Sequence, residues 1–278
     1  MKRMGIIGVA LMAALALSAF AASFANAEKA ETVPSAWYVN GVKLKDGSSD
    51  ARAILCHAAK HKFGATEETK LVLTSEVSGI FTELSATGIE CLGEKSTEAN
   101  AVIENFEATE PTAHTVARAR GRLRFTGVKV TQPLNCGIEG ENANGEATIT
   151  TNELEARVEM SKASPERVPV SFRPTPGQEE VFAVIPITKC AIAGKAKVKG
   201  VAYGEAVKEV AGTTSQPTGV EEKVQPLTFS EEIQNTFCPT TKSEPPVPCL
   251  KLGNKAAYLT GRVANELKSG EKFGAKEK

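Results

Sequence analysis

Aspartate and histidine are the scarce residues: the 278-residue chain has two of the first, Asp46 and Asp50, and three of the second, His57, His61 and His114. A Ser-His-Asp triad would have to draw on that small set or borrow a glutamate, and no Gly-x-Ser-x-Gly elbow presents a serine. No Asp-x-Asp-x-Asp-Gly run offers a calcium loop. Aromatics are 5% of the residues, with one tryptophan and three tyrosines, which supplies an aromatic-rich sugar site poorly. Trp37-Tyr38 is the one candidate stacking pair, and packing across a first hairpin is the expectation for Trp37. Lysine plus arginine (33) balance aspartate plus glutamate (33), so bulk nucleic-acid binding is not favoured. Past the first 27 residues no apolar run approaches the roughly 20 residues of a spanning helix.

Those first 27 residues have the form of a secretory signal. Lys2 and Arg3 make a positive start, residues 6–17 an apolar stretch, and Ala25-Asn26-Ala27 a small-residue cleavage site. Cleavage before Glu28 leaves 31 basic and 33 acidic residues, a net charge of about −2. No cysteine stands near that site to carry a lipid anchor. Release outside the membrane, at or beyond the cell envelope, is expected.

An exported chain with an even number of cysteines reads as a disulfide framework. The six are Cys56, Cys91, Cys136, Cys190, Cys238 and Cys249, and six allow 15 pairings. Sequence does not choose among them. The favoured set is Cys238–Cys249 across a proline-rich loop, Cys136–Cys190 between central and later strands, and Cys56–Cys91 by elimination. Each would add ~2–4 kcal/mol if unstrained.

The grammar of the chain is that of strands. Residues 118–130 place Arg118, Arg120, Arg122 and Arg124 in one phase and Leu123 and Phe125 in the other, then change phase at Gly127, as a β-bulge would. Residues 153–160 alternate Leu154, Ala156, Val158 and Met160 with Glu153, Glu155, Arg157 and Glu159; the residue types also suit a helix capped by Asn152, but the alternation favours a strand. Asn40-Gly41 marks a tight hairpin turn. Many further short runs from residue 70 onward, bounded by Gly, Pro, Asn or Ser, predict an all-β antiparallel sandwich or barrel-like assembly. Residues 181–187 are apolar in both phases and read as a central strand covered on both sides. One short N-terminal helix is expected over residues 51–62, capped by Ser49 or Asp50 and stopped by Gly64. The organisation is therefore a signal (1–27), a hairpin with a short helix (28–64), a β-rich domain (65–265), and a polar tail (266–278); residues 161–168 could divide the β-rich domain in two, but a Cys136–Cys190 bridge would make it one mechanical unit.

Several short motifs recur in a wider group. Trp37-Tyr38-Val39-Asn40-Gly41, Gly88-Ile89-Glu90-Cys91, Leu123-Arg124-Phe125-Thr126-Gly127-Val128 with Cys136 downstream, Thr150-Thr151-Asn152-Glu153-Leu154, Leu250-Lys251-Leu252-Gly253, Ser269-Gly270 and Phe273-Gly274 span most of the mature chain. In these the chain resembles a large family of uncharacterised secreted β-rich, disulfide-bearing proteins of high-GC actinobacteria. The resemblance implies secretion, β-structure and disulfides, and no activity. Residues 48–64 depart from it and look like a helical insertion around Cys56.

The candidate chemistry is thin. His57 and His61, four apart on the expected helix beside Cys56, would offer two imidazoles to a metal, but Lys60 and Lys62 oppose a cation and no carboxylate completes the set, so neither metal nor cofactor is expected. Glutamates are plentiful without any sign of the two-in-a-cleft arrangement that glycoside hydrolysis needs. The unusual feature is the Arg118, Arg120, Arg122, Arg124 ladder, whose guanidinium groups would repeat every ~6.7 Å along one face and could hold an anionic wall polymer or another envelope component. The alternative is pairing with Glu153, Glu155 and Glu159 on a neighbouring strand. Lys195, Lys197 and Lys199 read as a solvated face. The sequence reading is thus a secreted non-catalytic structural or binding protein, with an extracellular Glu-based hydrolase or a polyanion-binding protein as alternatives.

Overall fold

The structure, a computed structural model, describes residues 32–33, 35–58, 71–95, 98–108, 114–161, 168–175, 180–206, 209–210, 213–214, 222–238 and 249–277. The expected signal (1–27), His61 and the proline-rich loop 239–248 lie outside the described residues. The first principal strands are β1 (Ser35–Val39), β2 (Arg52–Ala58), β3 (Leu71–Val77), β4 (Ile80–Ala86), β5 (Gly88–Leu92), β6 (Ala101–Ala108) and β7 (His114–Gln132). They are followed by β8 (Ala147–Thr150), β9 (Leu154–Val158), β10 (Val168–Pro174), β11 (Val181–Thr188), β12 (Gly194–Lys199), β13 (Ala202–Ala206) and β14 (Val224–Phe229). A helix, α1 (Glu231–Phe237), precedes β15 (Lys255–Leu267) and β16 (Phe273–Glu277). All the pairings between these strands are antiparallel, and the all-β reading holds.

Two strands, β7 and β15, are long because each serves two assemblies. The first halves of β7 and the last of β15 belong to a closed ring of eight strands: β2 pairs with β6, β6 with β7, β7 with β9, and so on through β10, β13, β14 and β15 back to β2. The other halves belong to a second layer, in which β15 pairs with β3, β3 with β4, and β7 with β4, β5 and β8. On the far side of β15 the short strand Lys251–Leu252 leads to β12 and β11. Asn152 bridges the gap between β8 and β11, its backbone N–H donating to the Phe182 carbonyl (2.9 Å) and its side chain to that of Val181 (2.8 Å).

The hand-over points are glycines. β7 leaves β9 after Gly121 and β15 leaves β3 before Gly261, with φ of 156° and 131°. A side chain at Gly121 would place its Cβ 2.3 Å from the Leu92 carbonyl oxygen and 2.6 Å from the Ala101 Cβ. Farther along, Gly127 (φ 61°) sits where the β7–β8 register slips, so the expected bulge is there.

The largest buried cluster runs through both assemblies, from Leu71, Leu84 and Ile185 to Leu154, Phe229 and Val263. All three expected disulfides are present: Cys56–Cys91, Cys136–Cys190 and Cys238–Cys249. The first joins β2 of the ring to β5 of the second layer. The Asn40-Gly41 hairpin is also there, with φ of 49° and 83° and Val39 opposite Val42.

Three readings are corrected. Residues 52–58 of the expected N-terminal helix are strand β2: Ile54 and Cys56 point inward, and pairing on both edges overrides the helix preference of Ala and Leu, while 59–70 lie outside the described residues. The helix is instead α1, where the Ser230 hydroxyl accepts from the Ile233 N–H (3.1 Å) and Glu231 and Glu232 fill the first turn. Its buried Gln234 serves the sheet, accepting from the Tyr203 N–H (2.8 Å) and donating to the Val201 carbonyl (3.0 Å). The residues read as a polar tail contain β16, paired along all of β1, with Phe273 1% exposed. On either side of residues 161–168, where the sequence left open a division in two, β9 and β10 pair directly. Finally, β11 is central but covered on one face only beyond Ala183, since Val184 is 39% exposed.

The close approach at Gly121 generates a test. Gly121→Ala should lose about 1–3 kcal/mol of stability in denaturant unfolding, because the added methyl meets backbone and a neighbouring strand. Gly194→Ala, at a similar φ of 149° but with nothing within 4 Å, should lose less. Equal losses would show that backbone angle, not packing, sets the cost.

Candidate functional site

The alternation of β7 divides its surroundings in two. Ala119, Gly121 and Leu123 face the inside of the ring, while Arg118, Arg120, Arg122 and Arg124 lie in the opposite phase. The ladder therefore stands on the outer surface, and its partners decide what it can do.

Arg118 donates through Nε to Glu104 Oε1 (2.7 Å) and through a terminal nitrogen to Glu155 Oε2 (3.1 Å), with its guanidinium 3.8 Å from the Phe106 ring centre. Arg120 shares Glu104 (2.6 Å) and grips both oxygens of Glu94 (2.8 Å each). Burial works against the Arg120 charge, but Glu104 and Glu94 outweigh it and hold its pKa above the ordinary value. Arg122 donates to the Gly93 carbonyl (3.0 Å), and Arg124 meets Glu90 (3.0 Å) at the exposed end. Of the three glutamates expected opposite, Glu155 is the one that reaches the ladder, and it also pairs with Arg157. Glu159 instead takes Arg173 and Ser171, and Glu153 offers its backbone carbonyl to Thr175. Glu104, Glu94 and Glu90 were missed by sequence reasoning. The available signal was the phase of residues 101–106, in which Ile103 is inward and Glu104 consequently outward beside Arg118.

Glu104 is 1% exposed and is met there by two guanidinium groups, those of Arg118 and Arg120. Below Glu159, the Tyr203 hydroxyl is pushed up to about 12, mainly by burial and secondarily by Glu159.

The other candidates are dispersed. Both aspartates form ion pairs near the surface, Asp46 with Lys43 (3.2 Å) and Asp50 with Arg52 (2.7 Å). His57 lies 3.7 Å from Glu266, and His114 begins β7 on the barrel wall. Among the described residues no group of three or more His, Cys, Asp or Glu side chains could hold a metal. Lys195 and Lys197 are exposed and Lys199 half-buried, as a solvated face should be.

Inside the ring is a cavity of about 120 Å3. Its wall is built from the inward phase of all eight strands, with large side chains such as Phe172, Phe229 and Leu154 alternating with small ones such as Ala119, Ala156 and Ala206. Eight-stranded barrels have an interior wide enough to be filled by side chains or to hold one small ligand. At about 24 cal/mol per Å3, leaving this volume unfilled costs on the order of 3 kcal/mol. A separate cavity of about 60 Å3 lies in the second layer among Leu73, Phe125 and Leu259.

One end of the ring is covered by the sheet of β1, Val42–Lys43 and β16. Trp37 of β1 and Phe273 of β16 pack with ring centres 5.9 Å apart and planes tilted by 42°, and both line the cavity. Trp37 donates its indole N–H to the Arg118 carbonyl (2.8 Å) and its backbone N–H to Asn105 Oδ1 (2.6 Å). The sole tryptophan thus faces the barrel interior and packs on the C-terminal strand, rather than only across its own hairpin. Comparison of the chain with family models, with curated proteins and with solved structures found no match.

Unequal burial along the ladder yields an expectation. Arg118→Ala, which strands Glu104 with one arginine fewer and leaves Glu155 to Arg157, should cost about 3 kcal/mol in urea unfolding. Arg124→Ala, in the exposed pair, should cost under about 1 kcal/mol and lose even that in high salt.

Proposed function

We propose that the chain is an exported, non-catalytic binding protein acting at or outside the cell envelope, and that the eight-stranded ring is its binding element. The observation that carries this reading is the lining of the interior cavity. Among the described residues that line it there is no carboxylate, hydroxyl, imidazole or lysine; the polar ones are Arg120, Arg122, Gln225 and Asn265. Such a wall holds an apolar guest and has no acid, base or nucleophile with which to transform one.

Export is supported by the signal-like first 27 residues and by three disulfides, which persist in oxidising surroundings. No helix among the described residues is long and apolar enough to cross a membrane. The hydrolase alternative gains no support, because the two buried glutamates among the described residues, Glu104 and Glu155, lie in the outward phase of their strands and are both tied to Arg118. Nor does the ladder favour a polyanion: three of its four guanidinium groups are already met by carboxylates.

The test is expression of the full chain in a secreting host. The expected product is found outside the cytoplasm, begins at Glu28, has six blocked thiols and turns over no ester or glycoside from a chromogenic panel. A cytoplasmic, reduced product would remove the export reading. Turnover that disappears in Glu155→Gln would replace the binding reading with the hydrolase one.

A further inference from the structure

The cavity is a product of where the small residues stand. Ala101, Ala119, Gly121, Ala156, Ala206 and Ala275 come from five different strands and all border it. A leucine at one or two of these places would fill the space by ordinary core packing. The bordering side chains are Ile, Leu, Val and Phe, so water would find few partners; it needs two to four. The amides that border the space are already engaged, Gln225 donating to the Phe273 carbonyl (2.6 Å) and Asn265 to the Gln225 carbonyl (3.3 Å). The guanidinium groups of Arg120 and Arg122 donate outward, to Glu94, Glu104 and the Gly93 carbonyl.

We infer that the void binds a small neutral apolar molecule, of the size of one aromatic ring or a short branched alkyl group. The inference rests on the binding-protein reading above and adds the ligand class. An engineered cavity of roughly 150 Å3 with a comparable aliphatic and aromatic wall takes up benzene or xenon, and this one is of the same order. A charged ligand would lose its hydration with no free counter-charge on the wall to replace it. Entry is through the capped end. The Cys56–Cys91 disulfide and Leu154 and Phe229 of the shared core border the space as well. The cap is held by a few identifiable bonds: Ser35 to the Val158 carbonyl (3.0 Å), Trp37 to Arg118 and Asn105, and Gln225 to Phe273.

The probes are benzene and xenon, applied to the oxidised mature chain. Trp37, the one tryptophan, is a built-in fluorescent reporter on the cavity wall. Benzene should change its emission saturably and raise the thermal midpoint in step with the logarithm of concentration. Ala156→Leu, with its added carbons in the void, should keep the β-sheet circular dichroism and weaken benzene binding at least tenfold. The inference is overturned if the wild-type chain shows no saturable change, or if the filled variant binds as well as wild type. Should Ala156→Leu not fold, crystals of the wild type under xenon decide: a xenon peak inside the ring upholds the site, and peaks only elsewhere abolish it. An exported, inert protein that takes up neither probe would fail this inference alone. A protein that binds benzene in the ring yet stays in the cytoplasm or hydrolyses the panel would fail the preceding reading alone.

Discussion

Sharing of β7 and β15 is the constraint on which the rest of the molecule depends. A strand that pairs in two assemblies must bend where it changes partners, and both strands do so at a glycine, Gly121 and Gly261. Because the ring and the second layer have these two strands in common, they cannot slide or separate without breaking backbone ladders. The Cys56–Cys91 bridge and the continuous buried cluster reinforce the same junction. The cavity is one result: the ring closes around the inward faces of strands whose paths are fixed by pairing elsewhere, so the wall does not collapse onto its small residues.

The two faces of the ring carry different physics. Outside, the arginines of β7 meet Glu104, Glu155, Glu94 and Glu90, and the interaction of buried charges with matched partners sets register between β6, β7 and β9. Inside, the described wall is mostly aliphatic and aromatic and encloses an apolar space. The arginine ladder, which reads as a ligand site along the sequence, is met by carboxylates in three dimensions. The interior, which carries the functional reading, has no motif at all.

This pattern explains what the sequence made legible. Period-two alternation in residues 118–125 and 153–160, the phase change at Gly127 and the Asn40-Gly41 turn are local signals, and each corresponds to the feature found. Strand β2 was not legible as a strand, because its identity depends on β6 and β15, which are distant in the chain, while Ala, Leu and flanking Ser and Asp locally imitate a capped helix. The role of β16 as part of a cap depends likewise on β1, more than 230 residues away. Glu104 was hidden for a related reason: its partner is set by register across a hairpin whose turn the sequence does not specify. The cavity is least legible, since it is distributed over alanines and a glycine on separate strands, none unusual by itself.

Calorimetry tests the shared-strand account most directly. If β7 and β15 bind the ring and the second layer into one cooperative unit, the oxidised chain should unfold in a single transition whose calorimetric enthalpy equals its van't Hoff enthalpy. Two resolved transitions, or a calorimetric enthalpy about twice the van't Hoff value, would mean that the assemblies melt independently and that strand sharing does not govern the fold.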